Sequence, residues 1–292
     1  VMRPSDAILI EQPTYMHVLD LLAGSGIQAY PVACDDQGIC LELLPELIER
    51  HHPKLLYLTP TFQNPTGVCM SLARRHNLLD LITKYDLVVL EDDVYHHLWL
   101  DTPSPPPLRA LDPADNVIYT SGYSKCLLPG ARIGYFLPPA RLLPDLSASH
   151  QTLDATATEL NQRALAVIFE QGRFRNHLQK VRDAYRQRRR AMLEALAEYM
   201  PAEAHWTTPS GGLYLWVQLP ADGPSATTLY IHALELGVAF APGHLFYMPS
   251  SGEPPARANH RLRLNFALHP PGDIHDGIRR LARAWERAAG MG

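Results

Sequence analysis

The chain contains no apolar run near the roughly 20 residues that a membrane span requires, and no signal-peptide pattern opens it. Cysteine is scarce. Cys34, Cys40, Cys69 and Cys126 form neither a CxxC pair nor a framework spacing, which predicts reduced thiols in a cytoplasmic protein rather than a disulfide scaffold. A surplus of either charge is also missing. Lys+Arg 26 against Asp+Glu 30 leaves a net charge of −4, so this segment is not expected to wrap nucleic acid or cling to an anionic membrane. Nor is the chain poor in apolar residues: 46% hydrophobic against 19% charged excludes a disordered polymer. Length is ample, since 292 residues suffice for one large α/β domain or two smaller ones. Proline clusters at Pro103–Pro107 and Pro254–Pro255, and these runs read as loops.

A strand-like run, Ala7–Ile10, follows Val1 almost at once, which predicts that a further N-terminal part precedes it. The first half alternates short aliphatic runs with helical spacing. Strands are expected at Ala7–Ile10, Gln28–Val32, Leu55–Leu58, Leu87–Leu90, Val117–Thr120 and Arg132–Leu137. Helices are expected over Tyr15–Ala23, Leu43–Arg50 and from a Ser71 cap to Tyr85. Such alternation implies βαβ units and a mostly parallel sheet covered by helices. The second half reads as helices over Thr158–Glu170 and Phe174–Tyr199, then a smaller α+β part. In that part strands are expected at Leu213–Leu219, Val238–Ala241 and Arg261–Phe266, and helices at Ala226–Leu236 and Asp273–Ala288. The expected division is a large domain over 1–165 and a connecting helix with a small C-terminal domain over 166–292.

Polar side chains stand just beyond several of these strands. Asn64 follows Leu55–Leu58, Asp92 and Tyr95 follow Leu87–Leu90, Ser124 and Lys125 follow Val117–Thr120, and Arg132 comes in the next loop. In a parallel sheet such loops converge at the carboxyl edge, where ligands bind. A lysine amine can condense with an aldehyde when part of it is neutral, which desolvation or positive neighbours promote. A carboxylate facing a pyridine nitrogen keeps that ring protonated and electron-withdrawing, the partner expected for pyridoxal phosphate. An amide and a phenol can hold the cofactor's 3-oxygen, and an arginine with a hydroxyl can hold its phosphate.

The run Ser121-Gly122-Tyr123-Ser124-Lys125, with Arg132 seven positions on, resembles the lysine motif of class I/II aminotransferases, pyridoxal-phosphate enzymes of fold type I. Asn64-Pro65-Thr66-Gly67, Asp92-Asp93-Val94-Tyr95, Gln12-Pro13-Thr14-Tyr15, Ser210-Gly211-Gly212 and Arg261-Leu262-Arg263-Leu264-Asn265-Phe266 are similar to further motifs of that family, in the same order. The resemblance implies that Lys125 holds the cofactor covalently and shuttles the Cα proton. It implies that Asp92 pairs with the ring nitrogen and that Asn64 and Tyr95 bond the 3-oxygen. Tyr15 stacks on the ring, Ser124 and Arg132 bind phosphate, and Arg263, with Asn64 beside it, takes the substrate α-carboxylate. It further implies an amino acid and a 2-oxo acid as substrates, and a homodimer.

Two departures from the family pattern stand out. Gly122 occupies a position where the family carries a phosphate-binding serine, a contact either lost or supplied by Ser121. Gln12 replaces a common glutamate. A glycine-containing phosphate loop that precedes this segment in relatives is not in the chain. Taken singly, these motifs have blander readings. Asn-Pro-Thr-Gly is more often a turn, Asp92 could cap a helix or help bind metal, and Arg261 shares the strand face of Arg263. The adjacent pairs His51-His52 and His96-His97 point apart, so a shared metal is not expected. The basic run Arg186–Arg190 reads as a solvated helix face. The same motifs also resemble the aminotransferase-like, effector-sensing domain of MocR-type GntR-family transcription regulators, which carry DNA binding in a separate N-terminal domain. A pyridoxal-phosphate lyase would share the same lysine. Side-chain preference is expected to lie in loops such as Thr102–Leu108 and Phe246–Ala258.

Overall fold

The computed structural model describes residues 2–153, 158–249 and 255–290. Val1 and the 250–254 part of the expected Phe246–Ala258 loop, Pro254 included, lie outside them. The chain runs β1 (Ala7–Gln12), α1 (Met16–Ala23), β2 (Gln28–Asp35), β3 (Gly38–Ile39), α2 (Leu44–His51), β4 (Leu55–Leu58), α3 (Leu72–Lys84), β5 (Val88–Asp92), α4 (Leu108–Leu111), β6 (Val117–Gly122) and β7 (Gly134–Leu137). It continues through α5 (Leu143–Leu153), α6 (Glu159–Glu170), α7 (Arg173–Tyr199), β8 (His205–Trp206), β9 (Tyr214–Gln218), α8 (Ala226–Glu235), β10 (Ala241–Pro242), β11 (Arg261–Asn265) and α9 (Pro271–Ala288).

The first sheet has the order β3-β2-β1-β4-β5-β6-β7, in which β2, β1, β4, β5 and β6 are parallel while β3 and β7 are antiparallel edges. Its central strands read as unbroken apolar runs because both faces are covered. On one face Leu9, Leu56, Leu58, Val89 and Val117 pack with Leu44, Ile48, Leu78 and Ile82 of α2 and α3. On the other, Ile8, Ile10 and Tyr57 meet Val18, Leu19 and Leu22 of α1. α3 begins at Ser71, whose Oγ accepts from the Arg74 backbone N–H at 3.3 Å, as the sequence predicts. Farther along that second face, Leu55, Val88, Leu90, Ile118 and Phe136 line an open apolar trough of about 850 Å³ beside Leu146 of α5.

The order reverses at β1: the chain passes from β1 outward to β2, then returns to β4 on its other side. Such a switch point opens a crevice at the carboxyl ends of the strands. The second sheet, β10-β11-β9-β8, is antiparallel and packs with α7, α8 and α9 around a separate core that includes Leu196, Leu215, Leu262, Phe266, Leu281 and Trp285. The expected division at 165/166 falls inside α6. Among the described residues no helix is long and apolar enough to cross a membrane, and the four cysteines are unpaired.

Candidate active site

Side chains from four strand ends meet in a cavity of about 310 Å³ at the switch point. Tyr15 comes from the end of β1, Asn64 from the turn after β4, Asp92 from the last residue of β5, and Tyr95 from the turn that follows. Ser124, Lys125 and Arg132 come from the β6–β7 connection. Seven of the eight expected site residues thus line one space. The eighth, Arg263, reaches it from β11 of the other sheet: its Nη1 donates to Asn64 Oδ1 at 2.7 Å. Its guanidinium lies between the rings of Tyr214, 4.0 Å from the centroid, and Phe246, 4.9 Å away. The rival Arg261 instead points its Nη2 at Gln218 Oε1, 3.2 Å away.

Asp92 is held from below. Tyr57 Oη donates to its Oδ2 at 2.8 Å, whereas Oδ1 is buried without a hydrogen-bond partner among the described residues. Burial pushes the Asp92 carboxyl above the usual range, while Tyr57, the Val94 backbone N–H and nearby Lys125 pull it down. An orphaned carboxylate oxygen at a cavity is an acceptor waiting for a donor. Burial also drives the Tyr95 phenol well up, with Tyr214 adding to it, so Tyr95 is a donor at neutral pH. Lys125 and Arg132 are exposed at the rim, and Arg132 adopts a left-handed backbone (φ 51°) in the turn before β7.

Two sequence expectations about the β6 end meet steric and hydrogen-bond facts. A Cβ at Gly122 would lie 3.0 Å from the Ile133 carbonyl and 3.3 Å from Gly134 Cα, because Gly122 pairs with Gly134 across β6 and β7. A serine there requires the Ile133–Gly134 backbone to give by a few tenths of an ångström. Ser121 does not offer a free donor in its place, since its Oγ donates to the Asp93 carbonyl at 3.0 Å. At the β1 end, Gln12 Oε1 accepts from the Met248 backbone N–H at 2.9 Å, which ties the site to the second half of the chain. The buried carboxyl of this segment is supplied one residue earlier, by Glu11.

Tyr57, Tyr214, Thr59 and Glu11 were not singled out by sequence. Strand register could have found Tyr57: it pairs with Leu90, and Asp92 lies two residues on, on the same face. Tyr214 follows from register in the same way: Arg263 pairs with Trp216 across β11 and β9, and Tyr214 lies two residues away on the same face.

A crevice at the switch point of a parallel sheet, holding a lysine, an orphaned aspartate and an arginine bound to an asparagine, defines a class of protein. The chain belongs to the aminotransferase class I and II family, whose model matches residues 1–281. It is 36% identical over 280 residues to the 2-aminoadipate transaminase of Thermus thermophilus, covering 95% of this chain and 68% of that protein. It is 31% identical over 287 residues to the HTH-type transcriptional regulator YisV of Bacillus subtilis, covering 98% of this chain and 57% of the regulator. Among solved structures, the α-aminoadipate aminotransferase LysN of Thermus thermophilus, complexed with N-(5'-phosphopyridoxyl)-L-leucine, superposes with a TM-score of 0.92 at 33% identity. It covers all of this chain (100%) and 74% of that one.

Proposed function

We propose that the chain is a pyridoxal-phosphate-dependent aminotransferase that moves an amino group between an amino acid and a 2-oxo acid. The observation that carries this reading is the unpartnered Asp92 Oδ1 in the same cavity as Lys125. The donor set fits the cofactor. Asp92 Oδ1 is free to accept from a pyridinium N–H. Asn64 has its carbonyl engaged by Arg263 and its amide NH₂ left for the 3-oxygen. Tyr95 supplies a second donor, and Ser124 with Arg132 supplies a hydroxyl and a fixed cation for phosphate. When bound, the cofactor supplies an electron-withdrawing ring that takes up the charge left on breaking the substrate Cα–H bond.

The chain's own residues do the rest. Tyr57 fixes Asp92 so that its free oxygen keeps one direction. Lys125 presents an amine to the aldehyde and then carries the Cα proton as base and acid. Tyr15 covers the ring. Arg263 is pre-oriented by two aromatic faces and Asn64, leaving the rest of its fork for an α-carboxylate.

The deciding experiment adds pyridoxal phosphate and a broad amino-acid panel to the protein and follows visible absorbance. Conversion to the pyridoxamine form with release of a 2-oxo acid is expected; no spectral change with any member removes the reading. The likeness to YisV favours a second reading, an effector-binding domain whose DNA contacts lie in another domain. Turnover that continues with a 2-oxo acid acceptor separates the enzyme from such a sensor. We also propose a homodimer, checked by light scattering, and a cytoplasmic setting, which accords with four unpaired thiols. Residues 1–165 are proposed as the cofactor-binding unit and 166–292 as the connecting helix and small domain.

A further inference from the structure

Glu11 is the penultimate residue of β1, only 2% exposed, and does not line the cavity. Its Oε1 accepts from the Thr59 backbone N–H and from Gln63 Nε2, both at 3.0 Å. Gln63 Nε2 also donates to the Pro13 carbonyl at 2.7 Å, and its Oε1 accepts from Thr66 N–H at 2.9 Å and Thr66 Oγ1 at 2.7 Å. One carboxyl therefore ties together the ends of β1 and β4 and the turn that carries Asn64. Two residues before Thr59, Tyr57 grips Asp92.

We propose that Glu11 is a positioning residue of the site, acting through Gln63 on Asn64 and through Thr59 on the Tyr57–Asp92 pair. The proposal rests on the reading of the cavity as a cofactor site. Glu11 performs this task as the uncharged acid. Burial pushes its carboxyl up to about 8, with the charge of Asp92 adding, against the hydrogen bonds of Gln63 and Thr59. The groups that face it are Gln63 and Thr59, Tyr57 on β4, Asp92 on β5 and Cys34 on β2, and none of these is a cation. A neutral acid keeps the acceptor that two strand ends need without placing a second negative charge behind Asp92.

The test compares Glu11→Gln, which keeps the acceptor oxygen and cannot ionise, with Glu11→Leu, which removes it. The Gln variant should bind pyridoxal phosphate within about threefold of wild type, whereas the Leu variant should lose roughly tenfold or more. A second arm follows the melting temperature of the cofactor-free chain from pH 5 to 9. A carboxyl raised by folding stabilises most at low pH, and that contribution is lost as pH rises through its folded value. The Gln variant should therefore gain on wild type up to about pH 8 and hold a constant lead above it. A lead that does not change with pH, or a Gln variant as impaired in cofactor binding as the Leu variant, overturns the proposal. A wild type that binds no cofactor overturns the site reading instead, and the thermal arm then still decides the state of Glu11.

Discussion

Asp92 shows how much chemistry hangs on one side chain's surroundings. Its Oδ2 is occupied by Tyr57 and its Oδ1 is free, so two substitutions separate its roles. Asp92→Asn should lower kcat by about 10²-fold or more while leaving the fold intact, because a neutral amide no longer keeps a pyridine nitrogen protonated. Tyr57→Phe removes one hydrogen bond to a charged group, worth about 1.5–3 kcal/mol, and should lower cofactor affinity by roughly tenfold; steady-state turnover measures the first and spectral titration the second. Arg263→Lys should raise KM for the amino acid more than it lowers kcat, since a point charge cannot reproduce the fork that Tyr214 and Phe246 hold flat. The polar residues just beyond strands (Asn64, Asp92, Tyr95, Ser124, Lys125) were legible in the sequence because strand ends in parallel sheets face one edge. Glu11 was not. Nothing local in the sequence distinguishes a buried acid from an exposed one.

Among the elements, the buried strands were the clearest to read. Leu55–Leu58 matches β4 residue for residue, and β5 and β6 differ from expectation by one or two residues at their ends. Short pairings escaped. β3 and β8 are two residues each and exist through partner strands, and the expected strand Val238–Ala241 reduces to Ala241–Pro242. α5 went unseen because Ser147, Ser149, His150, Gln151 and Thr152 interrupt any apolar stripe. The expected strand from Arg132 starts at Gly134 because Arg132 takes a left-handed turn. Two predictions belong here. Ser71→Ala removes the α3 cap and should destabilise the chain by about 1 kcal/mol, which thermal unfolding would register as a loss of a few degrees. Gly122→Ser drives a Cβ into the Ile133 carbonyl and should cost about 1–3 kcal/mol, with a matching fall in melting temperature.

For the whole molecule, two cores are joined through an apolar cluster, Phe62, Tyr95, Leu98 and Cys126 against Leu178, Leu213 and Tyr214, and through polar clasps. Arg189 on α7 grips Asp101 with two bonds of 2.7 Å, Arg182 lies 3.7 Å over the Trp99 ring, and Arg263 crosses to Asn64. Motif order implies that both halves serve one site, whereas the clasps join residues far apart in sequence and carry no local signal. Buried acids shape the pH response, and Glu91 and Glu11 are two of them. Glu91 is raised to about 7 by burial and Asp93, despite Arg75 at 3.6 Å, and Glu11 to about 8. Both bind protons more tightly folded than unfolded, so their contribution is full below about pH 4.5 and should fall by a few kcal/mol as pH rises from there through 7 and 8. Urea midpoints at fixed temperature measure this; a midpoint that rises over that range would contradict both assignments.

The trough over β4–β7 bears on how the chain behaves in a test tube. An oily channel of this size wets poorly, so a fluorescent dye such as ANS should brighten on native protein, and concentrated samples should self-associate unless salt is kept low. Changing Ile118 or Phe136 at its floor to a polar residue of similar bulk should quench the dye signal and improve shelf life, without touching the pocket on the other side of the strand ends.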